Sequence, residues 1–408
     1  MSEFKKMSRQ ERLDVLKTLP GHLAEIAEWE LLHQLLAEIA EWEPLHQLLT
    51  DFDFIEAKLN DVGVQALIKD YDLGINSDRF LSQGQTEALK LIQGAIRQSA
   101  QVLERDKTQL AGQLLGRLLD FNLPQIQGML EQANQSKNSP WLRPLRANLE
   151  WPGEGCLRTL TDHTRRVISV VIAPGGKTAI STSRDNTLKI WDIDRGRELQ
   201  TLTGHTKPVW GVAIAPDGKT VISASDDNTL KMWDLASGSE LRTLTGHTHS
   251  AGGMVITPDG HTMIKDLWEH TLKIWDTDSR NEVRTLIGHT GWVLGVAIAP
   301  DGKTAISASA NTLKVWDLAS DTELRTLTGH TGWVATVAIA PNGKIVVSGS
   351  SDRTLKVWDF LSGKEIASFS PDAEFECCAI APDGVTVVAG DRSGRVHFLR
   401  LEGVSGGG

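Results

Sequence analysis

Cysteine is scarce in this chain. Cys156, Cys377 and Cys378 are the only three in 408 residues. Three thiols give no even disulfide framework, and their spacing fits no zinc site. On a strand, Cys377 and Cys378 would face opposite sides, which reads as two small buried residues. A reducing, cytoplasmic setting is the expectation. No apolar run approaches the ~18 residues of a membrane helix. The opening MSEFKKMSRQERLDVLKTL has basic residues but no continuous apolar stretch and no small-residue cleavage site. No signal peptide is expected. Positive charge is also in deficit: 42 Lys and Arg face 52 Asp and Glu, for a net charge of −10. That balance disfavours non-specific attraction to nucleic acid phosphates or anionic membranes.

A phosphate loop is missing too, although Gly-Lys-Thr occurs three times. The loop requires GxxxxGK[ST], whose backbone amides wrap phosphates. Before Gly176-Lys177-Thr178, Gly218-Lys219-Thr220 and Gly302-Lys303-Thr304, the first glycine position holds Val171, Ala213 and Ala297. Each Gly-Lys-Thr instead follows Ala-Pro and an Asp or Gly, a tight turn between strand-like runs. No ATP binding, cofactor or metal is expected, and no catalytic residues are assigned.

What is present is a repeat. GHTKPVWGVAIAPDGKTVISASDDNTLKMWD, from Gly204 to Asp234, has near-copies on both sides. Trp-Asp recurs at Trp191, Trp233, Trp275, Trp316 and Trp358, about 42 residues apart. Gly-His at the start and Trp-Asp at the end of such a period mark one propeller blade per repeat. Each repeat reads as four strands. In the second these are Leu199–Thr203, Val209–Ala215, Thr220–Ser225 and Thr229–Trp233, with turns at Pro216-Asp217-Gly218 and Asp226-Asp227-Asn228. Six such units end at Asp192, Asp234, Asp276, Asp317, Asp359 and near Leu399. The last, ending GRVHFLRL, has lost both signatures. The stretch LRTL from Leu157 has no blade of its own. It is expected to supply the outer strand of the last blade and so close the ring, since an open end exposes unpaired backbone. Six blades are expected, with an open or paired assembly as the alternative.

The first 137 residues read as an α-helical stack of six or seven helices. Ser8 followed three residues later by Glu11 has the spacing of a capping box, and a short helix is expected from there to Leu19. LAEIAEWELLHQL from Leu23 is followed by its near-copy LAEIAEWEPLHQL from Leu36, with a break expected near Glu43 because of Pro44. Two short helices broken at Val62-Gly63 follow. Then come a long helix over Thr86–Glu104, with Leu89, Leu91, Ile92, Ile96 and Val102 apolar, and helices over Thr108–Leu119 and Leu123–Ala133. Residues 138–155, rich in Pro, Gly, Asn and Ser, read as a linker. Trp141, Leu142, Pro144, Leu145 and Trp151 make it apolar enough to pack at the domain junction. The propeller is expected over 156–403 and a flexible tail over 404–408. The fold class is therefore mainly β with an α-helical N-terminal domain.

FDFIEAKLND, LIQGAIRQSAQVLERDKTQLAGQLLGRLL and SPWLRPLRANL resemble the helical segment that joins the ATPase core to the WD repeats in bacterial signal-transduction ATPases. Those are NB-ARC/NACHT-type proteins similar to the apoptosome protease-activating factor. The resemblance covers nearly the whole chain and implies a sensor half separated from its nucleotide switch. Resemblance to WD proteins further implies a buried tetrad in each blade, formed by the repeat His, a second-strand Ser, the turn Asp and the Trp. It maps to His163, Ser181, Asp185 and Trp191; to His205, Ser223, Asp227 and Trp233; and to His330, Ser348, Asp352 and Trp358. Recurrence from blade to blade marks these as structural rather than as a catalytic triad. The fourth blade is one residue short, and Ala310 stands in the turn where Asp belongs, leaving His289 without its acceptor. The third has Lys265 and Glu269 at the Ser and Asp positions, beside Trp268 and His270. It is read as either repeat drift or a specialised binding loop.

The position three residues after the repeat His varies: Arg166, Pro208, Ser250, Trp292 and Trp333. It lies just before the inner strand, at one end of the ring. Trp292 and Trp333, on adjacent blades, are the expected centre of a protein-binding patch, with Arg166, Trp268 and His270 as further candidates. The bland alternative is that both rings pack against neighbouring blades. The function expected is a non-catalytic scaffold or sensor that binds proteins; the alternatives are a truncated remnant with a mainly structural role and, behind it, a nucleic-acid-binding module or a propeller enzyme. The partner could be a separately encoded ATPase or effector, with neither nucleic acid nor membrane expected.

Overall fold

The computed structural model describes residues 42–76, 82–136, 139–149, 163–214, 218–245, 254–256, 262–266, 271–276 and 282–403. The expectations for the helix after Ser8, most of the tandem copy, Trp151, Cys156, Leu157–Leu160, Trp268, Glu269, His270 and the tail after Gly403 lie outside these residues, as does the side chain of Lys265. The chain divides into two compact units, one helical and one of β-sheet.

The described helices are α1 (Trp42–Leu49), α2 (Phe52–Val62), α3 (Val64–Asn76), α4 (Gln83–Arg105), α5 (Leu110–Leu118) and α6 (Pro124–Gln135). Trp42, Glu43 and Pro44 lie in the first described turn of α1, and the stretch before Trp42, where a break would show, lies outside the described residues. The one backbone bond Pro44 forgoes would run to Ala40, outside the described residues. The break between α2 and α3 falls at Gly63, whose φ of 90° suits glycine. The Asp51 carboxylate caps α2 by accepting from the Phe54 N–H. Ser82 and Gln85 form a reciprocal capping box on α4. Leu89, Ile92, Ile96 and Leu103 of α4 are buried. Leu91 and Val102 are only half-buried, so Leu103 takes the core place expected of Val102.

The β unit holds six four-stranded antiparallel sheets among the described residues. Five run in sequence order. The first is β2 (Val167–Ile172), β3 (Thr178–Ser183), β4 (Leu188–Asp192) and β5 (Arg197–Leu202). The second is β6 (Val209–Ile214), β7 (Thr220–Ser225), β8 (Thr229–Asp234) and β9 (Glu240–Thr245). The third is β10 (Met254–Ile256), β11 (Thr262–Asp266), β12 (Thr271–Asp276) and β13 (Glu282–Ile287). The fourth is β14 (Val293–Ile298), β15 (Thr304–Ser309), β16 (Thr312–Asp317) and β17 (Thr322–Thr328). The fifth is β18 (Val334–Ile339), β19 (Ile345–Ser350), β20 (Leu355–Asp359) and β21 (Glu365–Phe369).

The sixth sheet departs from this order. It joins β22 (Phe375–Ile380), β23 (Thr386–Asp391) and β24 (Val396–Glu402) to β1 (Trp141–Pro144). The outer strand of the last blade is therefore Trp141–Pro144 and not the LRTL stretch from Leu157. Trp141 pairs with Glu402 and Pro144 with Leu399. Trp141 and Leu142 are buried, and Arg143 Nε reaches Glu402 at 2.6 Å. Pro144 is tolerated because β1 is an edge strand. LRTL resembles the outer strands of the other repeats, but likeness to a repeat does not outweigh this burial and pairing.

The first and last sheets meet directly. β2 packs on β22 and β23. A Cβ on Gly390 would come within 2.4 Å of Val167 Cγ1, so glycine is needed for that approach. Val167, Val170 and Trp191 of the first sheet share one cluster with Cys377, Val388 and Phe398 of the last. Similar clusters fill the first-to-second and fourth-to-fifth junctions. Cys377 and Cys378 are free and buried, one beside Val167 and the other beside Thr336. Burial pushes the Cys378 thiol up to about 12 and raises Cys377 as well.

Candidate protein-binding surface

Three repeats carry the same buried polar chain. His163 Nδ1 lies 2.9 Å from Asp185 Oδ2, and its Nε2 lies 2.8 Å from Ser181 Oγ. Trp191 Nε1 donates to the same Oγ at 2.8 Å. His205, Asp227, Ser223 and Trp233 repeat this geometry, as do His330, Asp352, Ser348 and Trp358. A carboxylate only accepts, so Nδ1 carries the proton and Nε2 accepts from the serine hydroxyl. Every polar hydrogen then has a partner. Burial alone raises the Asp227 carboxyl, but the Thr229 hydroxyl and the His205 imidazole outweigh it and hold the group down to about 2. Asp185 and Asp352 lie lower still, with burial opposed mainly by their own histidines. The connectivity imitates a hydrolytic triad, yet Ser181 and Ser348 are fully buried and the tryptophan occupies each serine oxygen. No substrate reaches these hydroxyls.

In the fourth sheet the chain is cut short. His289 keeps Ser307 at 2.6 Å, and Trp316 keeps the same hydroxyl at 2.7 Å. No carboxylate meets His289 among the described hydrogen bonds. Burial, with Lys314 nearby, holds its imidazole down to about 4. The two-residue turn here puts Ala310 at a φ of 46°, whereas the longer turns place Asn186, Asn228 and Arg353 in that region.

Trp292 and Trp333 precede β14 and β18, which pack side by side. Their rings meet edge to face, with centroids 5.8 Å apart and planes at 86°. They are 46% and 50% exposed, so the pair is a half-open ledge rather than core packing. The backbone beneath is fixed. Trp333 N–H donates to Ser351 Oγ and Ser351 N–H to the Trp333 carbonyl, both at 2.8 Å. A Cβ on Gly332 would lie 2.7 Å from Ser351 Oγ. The Ala310 carbonyl accepts from Val334 N–H at 2.6 Å, and Ser309 Oγ donates to the Gly291 carbonyl at 2.7 Å. The shortened turn thus sits under both tryptophans. Bulges at Val293/Gly295 and Val334/Thr336 bend the strands just past them. Arg166 is not brought to this ledge, because its guanidinium binds Glu376 of the last sheet at 3.1 Å.

The WD domain, G-beta repeat family matches residues 154–192, 196–234, 280–317 and 321–359. The chain carries WD40 repeats. No curated protein sequence matches it. The four WD40 matches end on β4, β8, β16 and β20, and they leave out β10–β12 of the third sheet and β22–β24 of the sixth, where the sequence departs furthest from the repeat.

The sixth sheet holds a buried pair that the repeat pattern does not announce. Pro371, Ala389 and Leu399 stand at its tetrad positions. Asp391 and His397 replace them from new places, where the first, second, fourth and fifth repeats carry a serine and a lysine. Their 2.9 Å contact is wholly buried, and the His397 ring is flanked by Phe369 and Phe375. Burial raises the Asp391 carboxyl, but His397 and the turn donors bring it below its usual range. The signal available was a buried-strand histidine six residues after an aspartate across a tight turn. No helix among the described residues is long and apolar enough to cross a membrane.

Proposed function

We propose that this chain is a non-catalytic recognition module whose partner protein docks on the rim bearing Trp292 and Trp333. The observation that carries this reading is the half-exposed, edge-to-face pair on a hydrogen-bonded base. WD40 propellers act as protein-interaction scaffolds, and aromatic anchors of this kind are each worth ~2 kcal/mol or more when a partner desolvates them. Because the ledge is already formed, little ordering entropy opposes docking. The finer reading is a cytoplasmic sensor, related to the recognition half of a signalling ATPase, that works with a separately encoded ATPase or effector. The helical segments quoted above support it.

The test is affinity capture from a lysate of the source organism with wild type and the Trp292→Ala/Trp333→Ala variant, alongside thermal melts of both. A protein held by wild type and lost by the variant, with similar melts, is the expected result. Equal capture by both, or a large fall in melting temperature of the variant, would contradict it.

A further inference from the structure

A cleft of about 370 Å³ opens between the first and second sheets, lined by Arg165, Arg184, Asp185, Asn186, Lys207 and neighbouring loop residues. It belongs to the same rim as the tryptophan pair, because the loops before β2 and β6 and the turn after β3 correspond to those around β14 and β18. Three cations converge on it, and none of them forms an ion pair among the described residues. The fold does not ask for them. Arg165 and Lys207 share a repeat position that is Gly291 and Gly332 in the fourth and fifth repeats, and Arg184 matches Asp226, Ala310 and Ser351. The cations coincide at this one junction of a chain whose net charge is −10. Asp185 is the acid on the lining, but its carboxylate is already taken by His163, the Thr164 N–H and Thr187. Arg184 lies over the Trp210 ring, 5.5 Å from its centroid, which holds the guanidinium at the cleft. Trp210 Nε1 is buried without a hydrogen-bond partner.

We propose that this cleft binds a phosphate monoester carried on a side chain of the partner protein. The proposal rests on reading this rim as a protein-recognition face and adds the chemistry of a second contact. Two guanidinium groups and an ammonium suit a dianion with several acceptor oxygens, and Arg forks pair with phosphate bidentately. About 370 Å³ is room enough for a phosphorylated side chain. Three cations at one small cleft do not make the extended basic face that a lipid surface or a nucleic acid needs, and a net charge of −10 repels both.

The experiment titrates the full chain with an alanine-based peptide bearing one phosphoserine, with its serine twin and with inorganic phosphate. The Trp210 indole N–H resonance, assigned through Trp210→Phe, is the readout. The expected result is saturable binding of the phosphopeptide, with the serine twin and inorganic phosphate each binding more weakly. Arg184→Gln/Lys207→Gln should weaken binding about tenfold or more, while Trp292→Ala/Trp333→Ala leaves it unchanged. Equal binding by wild type and the double Gln variant, or of peptide and twin, would overturn the proposal. Inorganic phosphate binding as tightly as the peptide would assign the cleft to the free ion and overturn it too. Failure of the tryptophan ledge leaves this titration intact, so the two readings fall separately.

Discussion

The Arg146 guanidinium lies over the Trp191 indole, 5.3 Å from its centroid. Trp191 belongs to the first sheet, while Arg146 follows β1 of the last. The other side of the contact is Phe398, at 5.0 Å. Arg146 also donates to the Gly196 carbonyl of the first sheet at 2.8 Å and to the Val396 carbonyl of the last at 2.7 Å. One side chain therefore clasps both ends of the propeller. Arg146→Ala should cost about 2–4 kcal/mol, from lost charged hydrogen bonds and cation–π contact. Arg146→Lys should recover only part of this, since an ammonium cannot reproduce the planar fork. Urea denaturation of the three proteins checks it. An unchanged midpoint in the alanine variant would show that the ends close without the clasp.

The shortened turn of the fourth blade ties stability to the ledge. Inserting Asp between Ala310 and Asn311 recreates the Ser-Ala-Asp-Asn-Thr pattern of a complete repeat. It would give His289 an acceptor and relieve alanine from a positive φ, a gain of about 1–3 kcal/mol. It would also displace the Ala310 carbonyl from Val334 N–H and disturb the base of both tryptophans. The expected outcome is a higher melting temperature with weaker partner capture. A less stable protein with full capture would contradict this.

Acid should weaken the fold in two separate windows. His289, held near 4 against an ordinary 6.5, favours its neutral form when folded. Its burial is therefore without proton cost above pH 6.5, and the cost grows as pH falls to about 4. Asp227 runs from an ordinary 3.8 to about 2, so its stabilisation is complete above pH 3.8 and is lost as pH falls through 2. Denaturation midpoints across pH, taken as differences from wild type, isolate each group. His289→Gln should flatten the upper window and Asp227→Asn the lower. A difference curve for His289→Gln that is level from pH 6.5 to 4 would refute the first assignment.

The buried Asp391–His397 contact should behave as a lock. Removing one partner leaves the other polar and enclosed, a loss of about 3–5 kcal/mol. Asp391→Ala and His397→Ala are each expected to destabilise the protein by such an amount, and the double variant by much less than their sum. Strict additivity in thermal denaturation would mean that the two do not act together.

Much of the β architecture was legible because a period of about 42 residues with fixed turn chemistry repeats itself. Strand positions followed from alternating runs between Pro-Gly and Asp-Asn turns, and Gly63 announced the break between α2 and α3. The tetrads could be mapped because each partner keeps its place in the repeat. β1 was hidden for the opposite reason: WLRP lacks repeat character and contains proline, and only tertiary pairing makes it a strand. The sixth blade hid its lock because Asp391 and His397 occupy positions other than the tetrad's. The placement of Trp292 and Trp333 near one end of neighbouring inner strands was readable, but their edge-to-face contact depends on backbone bonds to Ser351 and Ala310 that no spacing reveals.

The most direct measurement is site-specific photo-crosslinking. A photoreactive phenylalanine analogue at Thr331 leaves both tryptophans in place and faces the same rim. One at Leu361 sits 76% exposed in the turn after β20, at the opposite end of the strands. The account predicts a discrete protein adduct from position 331, lost in the Trp292→Ala/Trp333→Ala background, and none from 361. Adducts from 361 alone, or the same adducts from both positions, would place recognition elsewhere and contradict it.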